Sequence, residues 1–153
     1  MLPGERLNTT IRILASDLRS VRAEAISHNM EYRLTYDLEE DQYRWSTPFS
    51  IEGGVVRLER DAEYDTGERL YSPWVKLADG VSFARIFIAG EVYEEGQIQV
   101  VFDAIGTATD HSVILTQPKY EQFFTLEVLP LSGLIKMHDG EYLRQEPDDG
   151  DFQ

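Results

Sequence analysis

The sequence predicts an α+β domain in which one long N-terminal amphipathic helix packs on antiparallel β-sheets. Three features of the chain predict it. A helical apolar stripe is confined to the first 28 residues, an alternation of period two takes over after residue 30, and turn-forming residues separate the alternating runs. A helix followed by consecutive strands buries its apolar stripe by lying on the sheet they form.

In the helix, Leu7, Ile11, Leu14, Leu18, Val21 and Ala25 recur at spacings of four and three and so share one face. Ala15, Ala23 and Ile26 widen the stripe, and Arg12, Asp17, Arg19, Arg22 and Glu24 take the other faces. Pro3 and Gly4 mark the start, and Asn29 suits the left-handed residue that often closes a helix, which sets the helix at 7–28. Such a rod is about 33 Å long. A strand of five or six residues spans only about 17–20 Å. The sequence therefore predicts that the rod overhangs its sheet. Leu18, Val21, Ala25 and Ile26 are expected on the sheet, and Leu7, Ile11 and Leu14 are expected to face partners.

The β domain is expected over 30–143. Tyr32, Leu34 and Tyr36 alternate with polar neighbours as in a half-buried strand, and Tyr43 to Trp45 returns as its hairpin partner after the acidic turn Leu38 to Asp41. Further strands are predicted at Val81 to Ile88, Ile98 to Phe102, Ser112 to Thr116, Phe123 to Leu129 and Leu134 to Met137, with another at Val55 to Leu58. Turn residues at Ala78-Asp79-Gly80, Glu94-Glu95-Gly96, Asp103 to Asp110, Gln117-Pro118 and Pro130 to Gly133 separate them. Ser46 to Trp74, rich in Gly, Pro and charge, reads as a long excursion, and 144–153 as a frayed acidic tail. With 153 residues and 42% hydrophobic composition, the whole chain reads as a single domain with one core.

Composition narrows the chemistry. Twenty-eight acidic residues against fourteen basic ones give a formal charge of −14. Such a chain repels phosphate backbones, so no nucleic acid partner is expected. Without cysteine, disulfides, thiolate chemistry and iron–sulfur clusters are excluded. His28, His111 and His138 have no partner at triad or metal-ligand spacing and read as structural, His28 at a favourable helix C-terminus. The runs Asp37 to Asp41 and Asp148 to Asp151 lack EF-hand spacing and read as solvated acidic segments. Gly53-Gly54 lacks the Lys-Ser/Thr of a phosphate loop. Trp45, Tyr71 and Trp74 could form a sugar platform, but aromatics on strands are ordinarily core. No catalytic residue, cofactor site or metal site is expected.

Four segments in order resemble the H-type minor pseudopilins of type II secretion, with the minor pilins of type IV pili as near neighbours. They are Leu14 to Ile26 running through Asn29 into Tyr32 to Asp37; Leu77 to Phe83; Val101 to Ala108 followed by Val113-Ile114-Leu115; and Thr125 to Ile135. They cover about half the chain and leave out Leu38 to Lys76. The family usually carries proline where Ala78 and Ala104 stand, so these turns are expected to differ in shape. The resemblance implies a pilin-like β-sandwich, a non-enzymatic subunit of a protein-export pseudopilus, other pseudopilins as partners, and a periplasmic location. It also implies an inner-membrane anchor supplied by a hydrophobic segment and prepilin cleavage site upstream of Leu2, with Glu5 no counterpart of the family's N-terminal glutamate. A type IV pilus minor pilin and a carbohydrate-binding β-sandwich are the alternative readings, the second fitting poorly with so long an N-terminal helix.

Overall fold

The computed structural model describes residues 5–47, 51–52, 55–56 and 70–143, the two short pairs by their backbone alone. The Val55 to Leu58 strand is described only at Val55–Val56, and most of the expected excursion and the whole 144–153 tail lie outside the described residues. Helix α1 runs Glu5–Ser27 and is followed by β1 (Tyr32–Asp37), β2 (Gln42–Thr47), β3 (Ile51–Glu52), β4 (Val55–Val56), β5 (Leu70–Tyr71), β6 (Val75–Lys76), β7 (Ser82–Ile88), β8 (Glu91–Tyr93), β9 (Gln97–Phe102), β10 (His111–Gln117), β11 (Gln122–Val128) and β12 (Ile135–Asp139).

Local chemistry ends the helix where the sequence suggested. Asn29 takes a positive φ of 52°. The Met30 N–H then reaches back to the Ala25 carbonyl at 3.0 Å and the Asn29 N–H to that of Ile26 at 3.2 Å. These two bonds form a Schellman cap, and the accompanying apolar contact is supplied by Met30 and Ala25, both buried in the core.

Among the described residues the strands form two five-stranded antiparallel sheets and a separate β3–β4 pair. The first sheet has the order β5-β2-β1-β9, with β6 also paired to β2; the second has the order β12-β11-β10-β7-β8. In the first, Tyr32, Leu34 and Tyr36 of β1 and Val100 and Phe102 of β9 point inward, as the alternation requires. In the second, the register slips between Ile114 and Leu115, leaving Ala84 of β7 unpaired. That bulge turns Phe83 and Ile86, three residues apart, to the same core.

Strand β10 is buried on both faces, which explains its unbroken apolar run Val113-Ile114-Leu115. Val113 and Leu115 face the core. Ile114 pairs with Arg85 on one side and Thr125 on the other. The segment after β12 is fastened to both of those residues. Thr125 Oγ1 donates to the Gly140 carbonyl at 2.8 Å and accepts the Tyr142 N–H at 2.9 Å, while Glu141 pairs with Arg85.

The helix lies on both sheets, and here the structure corrects the expected overhang. Leu7, Ile11 and Leu14 are buried in the same core cluster as Leu18, Val21 and Ala25, together with side chains of both sheets. Ile26, placed on the sheet by its spacing, is instead 42% exposed, and Ala23 is exposed as well. The reason is geometric. A rod that crosses several strands is covered by the breadth of the sheets and their loops, so the length of one strand sets no limit. Polar bonds hold it at three points along its length. Arg6 Nη1 donates to the Asp79 carbonyl at 3.2 Å, the Tyr43 hydroxyl to Asp17 Oδ2 at 2.6 Å, and Arg22 Nε to the Gly106 carbonyl at 3.3 Å. Among the described residues, no helix is long and apolar enough to cross a membrane.

His111 links the two sheets. Its Nδ1 lies 2.7 Å from the Thr109 carbonyl, which can only accept, so Nδ1 carries the proton and Nε2 accepts from the Tyr36 hydroxyl at 2.9 Å. Burial of this neutral ring pushes its pKa down to about 4, against the smaller opposing effects of the Thr109 carbonyl and the Asp110 charge. A folded pKa below the unfolded value means stability that is complete above about pH 6.5 and is lost as the pH falls from there towards 4. Urea unfolding midpoints should therefore drop over that window, and His111→Asn should flatten the drop. An equal slope in the variant would assign the acid sensitivity to carboxylates.

Candidate functional site

Each of the three histidines is engaged by neighbouring residues of the fold, His111 as described above. His28 Nδ1 lies 2.9 Å from the Tyr32 hydroxyl and 3.2 Å from Glu24, where it extends the helix cap. His138 Nε2 lies 3.3 Å from the buried Glu127 carboxylate, and its ring stacks on Tyr142 with centroids 3.8 Å apart. The acidic run after β1 is largely occupied by local bonding. Asp37 accepts from the Glu39 and Glu40 N–H groups, Gln42 and Gln97, and Asp41 Oδ1 accepts the Phe83 N–H. Burial pushes the Asp37 carboxyl up, but the four bonds it accepts together outweigh this and hold it below its usual range.

The aromatic trio does not form a platform. Trp45 packs partly buried against the core. The Arg44 guanidinium carbon lies over both the Tyr71 and the Trp74 ring, 4.2 Å from each centroid, so a cation covers a face of each. A shallow groove beside them, between α1 and β5, is lined by Val21, Tyr32, Trp45, Leu70 and Tyr71.

The surface with the most distinctive geometry lies where the end of α1 meets two loops, 103–110 and 129–134. Each loop closes on itself. Asp103 N–H donates to the Thr107 carbonyl, Thr107 Oγ1 to Asp103 Oδ2, and Gly106 N–H to the Asp103 carbonyl; in the other loop Leu129 N–H donates to the Leu134 carbonyl and Gly133 N–H to that of Leu129. The Ala108 N–H then ties the first loop to the Pro130 carbonyl of the second at 2.9 Å. Between them lies the side chain of Arg22. Gly106 and Gly133 are buried, with φ of +95° and +66°, and leave room for it. A Cβ on Gly133 would stand well inside 3.0 Å of the Gly106 carbonyl oxygen and 2.6 Å from Arg22 Nε. One on Gly106 would stand 3.1 Å from Arg22 Nη2. Only residues without a Cβ allow this approach.

The two loops and the end of α1 carry four exposed aliphatic side chains, beside an exposed Asp103 whose carboxylate accepts from Thr107. Ile105 is 83% exposed, Leu131 88%, Leu134 56% and Ile26 42%. Sequence reasoning missed the cluster and treated Arg22 as one of several polar residues off the apolar stripe. A signal was available: Ile105 and Leu131 are large aliphatic residues at turn positions, where polar residues usually stand. Leu7, Ile11 and Leu14, expected to meet partners, lie instead within the domain's own core.

Comparisons with known proteins agree with this architecture. A family model described as the type II transport protein GspH matches residues 10–131. No curated protein matches the sequence. Two solved structures of the minor pseudopilin EpsH from the type II secretion system of Vibrio cholerae are similar in fold. One has a TM-score of 0.58 at 9% identity, covering 86% of this chain and 95% of that one. The other has a TM-score of 0.59 at 11% identity, covering 87% and 93%.

Proposed function

This chain belongs to the GspH family of type II transport proteins, and from that premise we propose that it acts as a structural, non-enzymatic subunit of a pseudopilus that exports proteins across the outer membrane. Its action is mechanical. One observation supports this above the others: α1 is bonded to the β domain near its start, its middle and its end, through Arg6, Asp17 and Arg22. Interiors packed and pinned in this way transmit displacement with little compression. A push along the helix therefore moves the β domain with it.

On this reading a hydrophobic segment upstream of α1 holds the subunit in the bacterial inner membrane, with the β domain in the periplasm. Its neighbours are other pseudopilins of the same system. A net charge of −14 disfavours the DNA-uptake role of a type IV minor pilin. The test is genetic. Deleting the gene should stop or sharply reduce export of type II substrates, and the full gene should restore it. A version lacking the upstream hydrophobic segment should not. Undiminished export in the deletion strain would overturn the proposal, as would a gene whose upstream sequence encodes no hydrophobic segment of about 20 residues.

A further inference from the structure

The apolar surface around Arg22 has a chemical signature more specific than exposure alone. Arg22 uses Nε for the Gly106 carbonyl, and among the described residues no carboxylate lies within ion-pair distance of its guanidinium. This is unexpected in a chain with twice as many acidic as basic residues. The two buried glycines leave room for the arginine and the Gly106 carbonyl holds its Nε, so its Nη donors remain for an acceptor from outside, in the fork geometry that grips a carboxylate bidentately. Ile105, Leu131, Leu134 and Ile26 stand on the two loops and the helix end that hold Arg22, and as exposed aliphatic side chains they gain by being covered. A charged group among aliphatic side chains that exclude water once covered is the arrangement of an interface hot spot.

We propose that this end of the domain docks a segment of a neighbouring subunit in which an Asp or Glu is flanked by aliphatic side chains, the carboxylate meeting Arg22 and the aliphatic groups meeting Ile105, Leu131 and Leu134. The proposal rests on the reading of the chain as a subunit of an assembly. An anionic membrane surface is the weaker match, because a chain carrying −14 is repelled by it.

The experiment uses the full-length protein in its own cells, with the photo-crosslinking residue p-benzoylphenylalanine placed at Ile105 or Leu131 and, as a control, at the exposed Ile13, which precedes Arg22 on α1 by more than two helical turns. The expected result is a light-dependent adduct from the two loop positions and none of the same mass from Ile13. Mass spectrometry should map it to a peptide with Asp or Glu beside Leu, Ile or Val. Introducing Leu131→Asp into the Ile105 probe protein should cut the adduct about tenfold or more, the loss that follows from 1.4 kcal/mol or more of binding. Arg22→Gln should also weaken it. Because Arg22 staples the loops, the decisive variant is Leu131→Asp, which changes an exposed side chain and should leave the melting temperature unchanged. No adduct, an adduct that survives Leu131→Asp, or an adduct to a peptide without a carboxylate overturns the proposal. So does cosedimentation of the purified domain with phosphatidylglycerol vesicles that Leu131→Asp abolishes. The two readings fail separately: export that is lost on gene deletion but intact in an Ile105→Asp, Leu131→Asp double variant leaves the subunit role standing and removes the docking surface.

Discussion

Ile11→Asp should abolish cooperative folding of the isolated domain, or lower its melting temperature so far that little native protein remains at 37 °C. Ile11 has no exposed surface and belongs to the core cluster shared by α1 and both sheets. A carboxylate there loses the burial of a large aliphatic side chain and leaves an unpaired charge in an apolar environment. The first effect alone costs about 2–5 kcal/mol, and the second makes the total comparable to the whole stability of a small domain. Val21→Asp should do the same from the other half of the helix. Ile13→Asp, two residues from Ile11 and half exposed, should cost about 1 kcal/mol or less. Far-ultraviolet circular dichroism and thermal melts of the three variants would check this. A stable, cooperatively melting Ile11→Asp domain would mean that the N-terminal half of α1 contributes little to the core and is available to partners after all.

The contrast between Ile11 and Ile13 also shows which parts of the fold were legible in the sequence. Helix periodicity identified the buried face, and Asn29 marked its end, because both are local effects of backbone geometry. The β1–β2 hairpin and strands β7, β9, β10 and β11 were legible for the same reason: alternation and turn residues act over a few positions. β12 was expected one residue early and short of its end, since it occupies Ile135–Asp139 rather than Leu134 to Met137. Strand β3, inside the expected excursion, was missed, and so were three strands at sheet edges, β5, β6 and β8. These last three are two or three residues long and exist because β2 and β7 offer them an edge, so no periodicity could accumulate within them. The overhang of α1 was inferred from element lengths, which say nothing about the direction in which a helix crosses a sheet. The site around Arg22 was still less accessible. The bond from Arg22 to Gly106 spans 84 positions in sequence, and Gly133 lies farther along. A turn glycine looks the same from its neighbours whether it serves only the turn or also makes way for a side chain from another element.

Gly133→Ala should separate those two uses of glycine. Gly133 and Gly90 both adopt a positive φ, +66° and +82°, so an alanine at either site meets the left-handed strain of about 1–2 kcal/mol. At Gly90, in the turn between β7 and β8, a Cβ meets nothing within 4 Å, and the strain is the whole cost. At Gly133 the added carbon also overlaps the Gly106 carbonyl and the Arg22 side chain. One obstacle is backbone held by its own loop bonds, and the other is a side chain held at that carbonyl, so neither yields without breaking the staple between α1 and the two loops. Gly133→Ala should therefore cost about 3 kcal/mol or more, by the measure of overpacked sites. For a domain of this size that is a fall in melting temperature of roughly 6–12 °C or more, against roughly 2–8 °C for Gly90→Ala. Adding Arg22→Ala removes one of the two obstacles. The double variant should then be less destabilised than the sum of the single changes, a coupling that a double-mutant cycle measures directly. Equal losses at Gly133 and Gly90, with simple additivity to Arg22→Ala, would show that the loops shift freely and that the position of Arg22 is not fixed by the glycines at all.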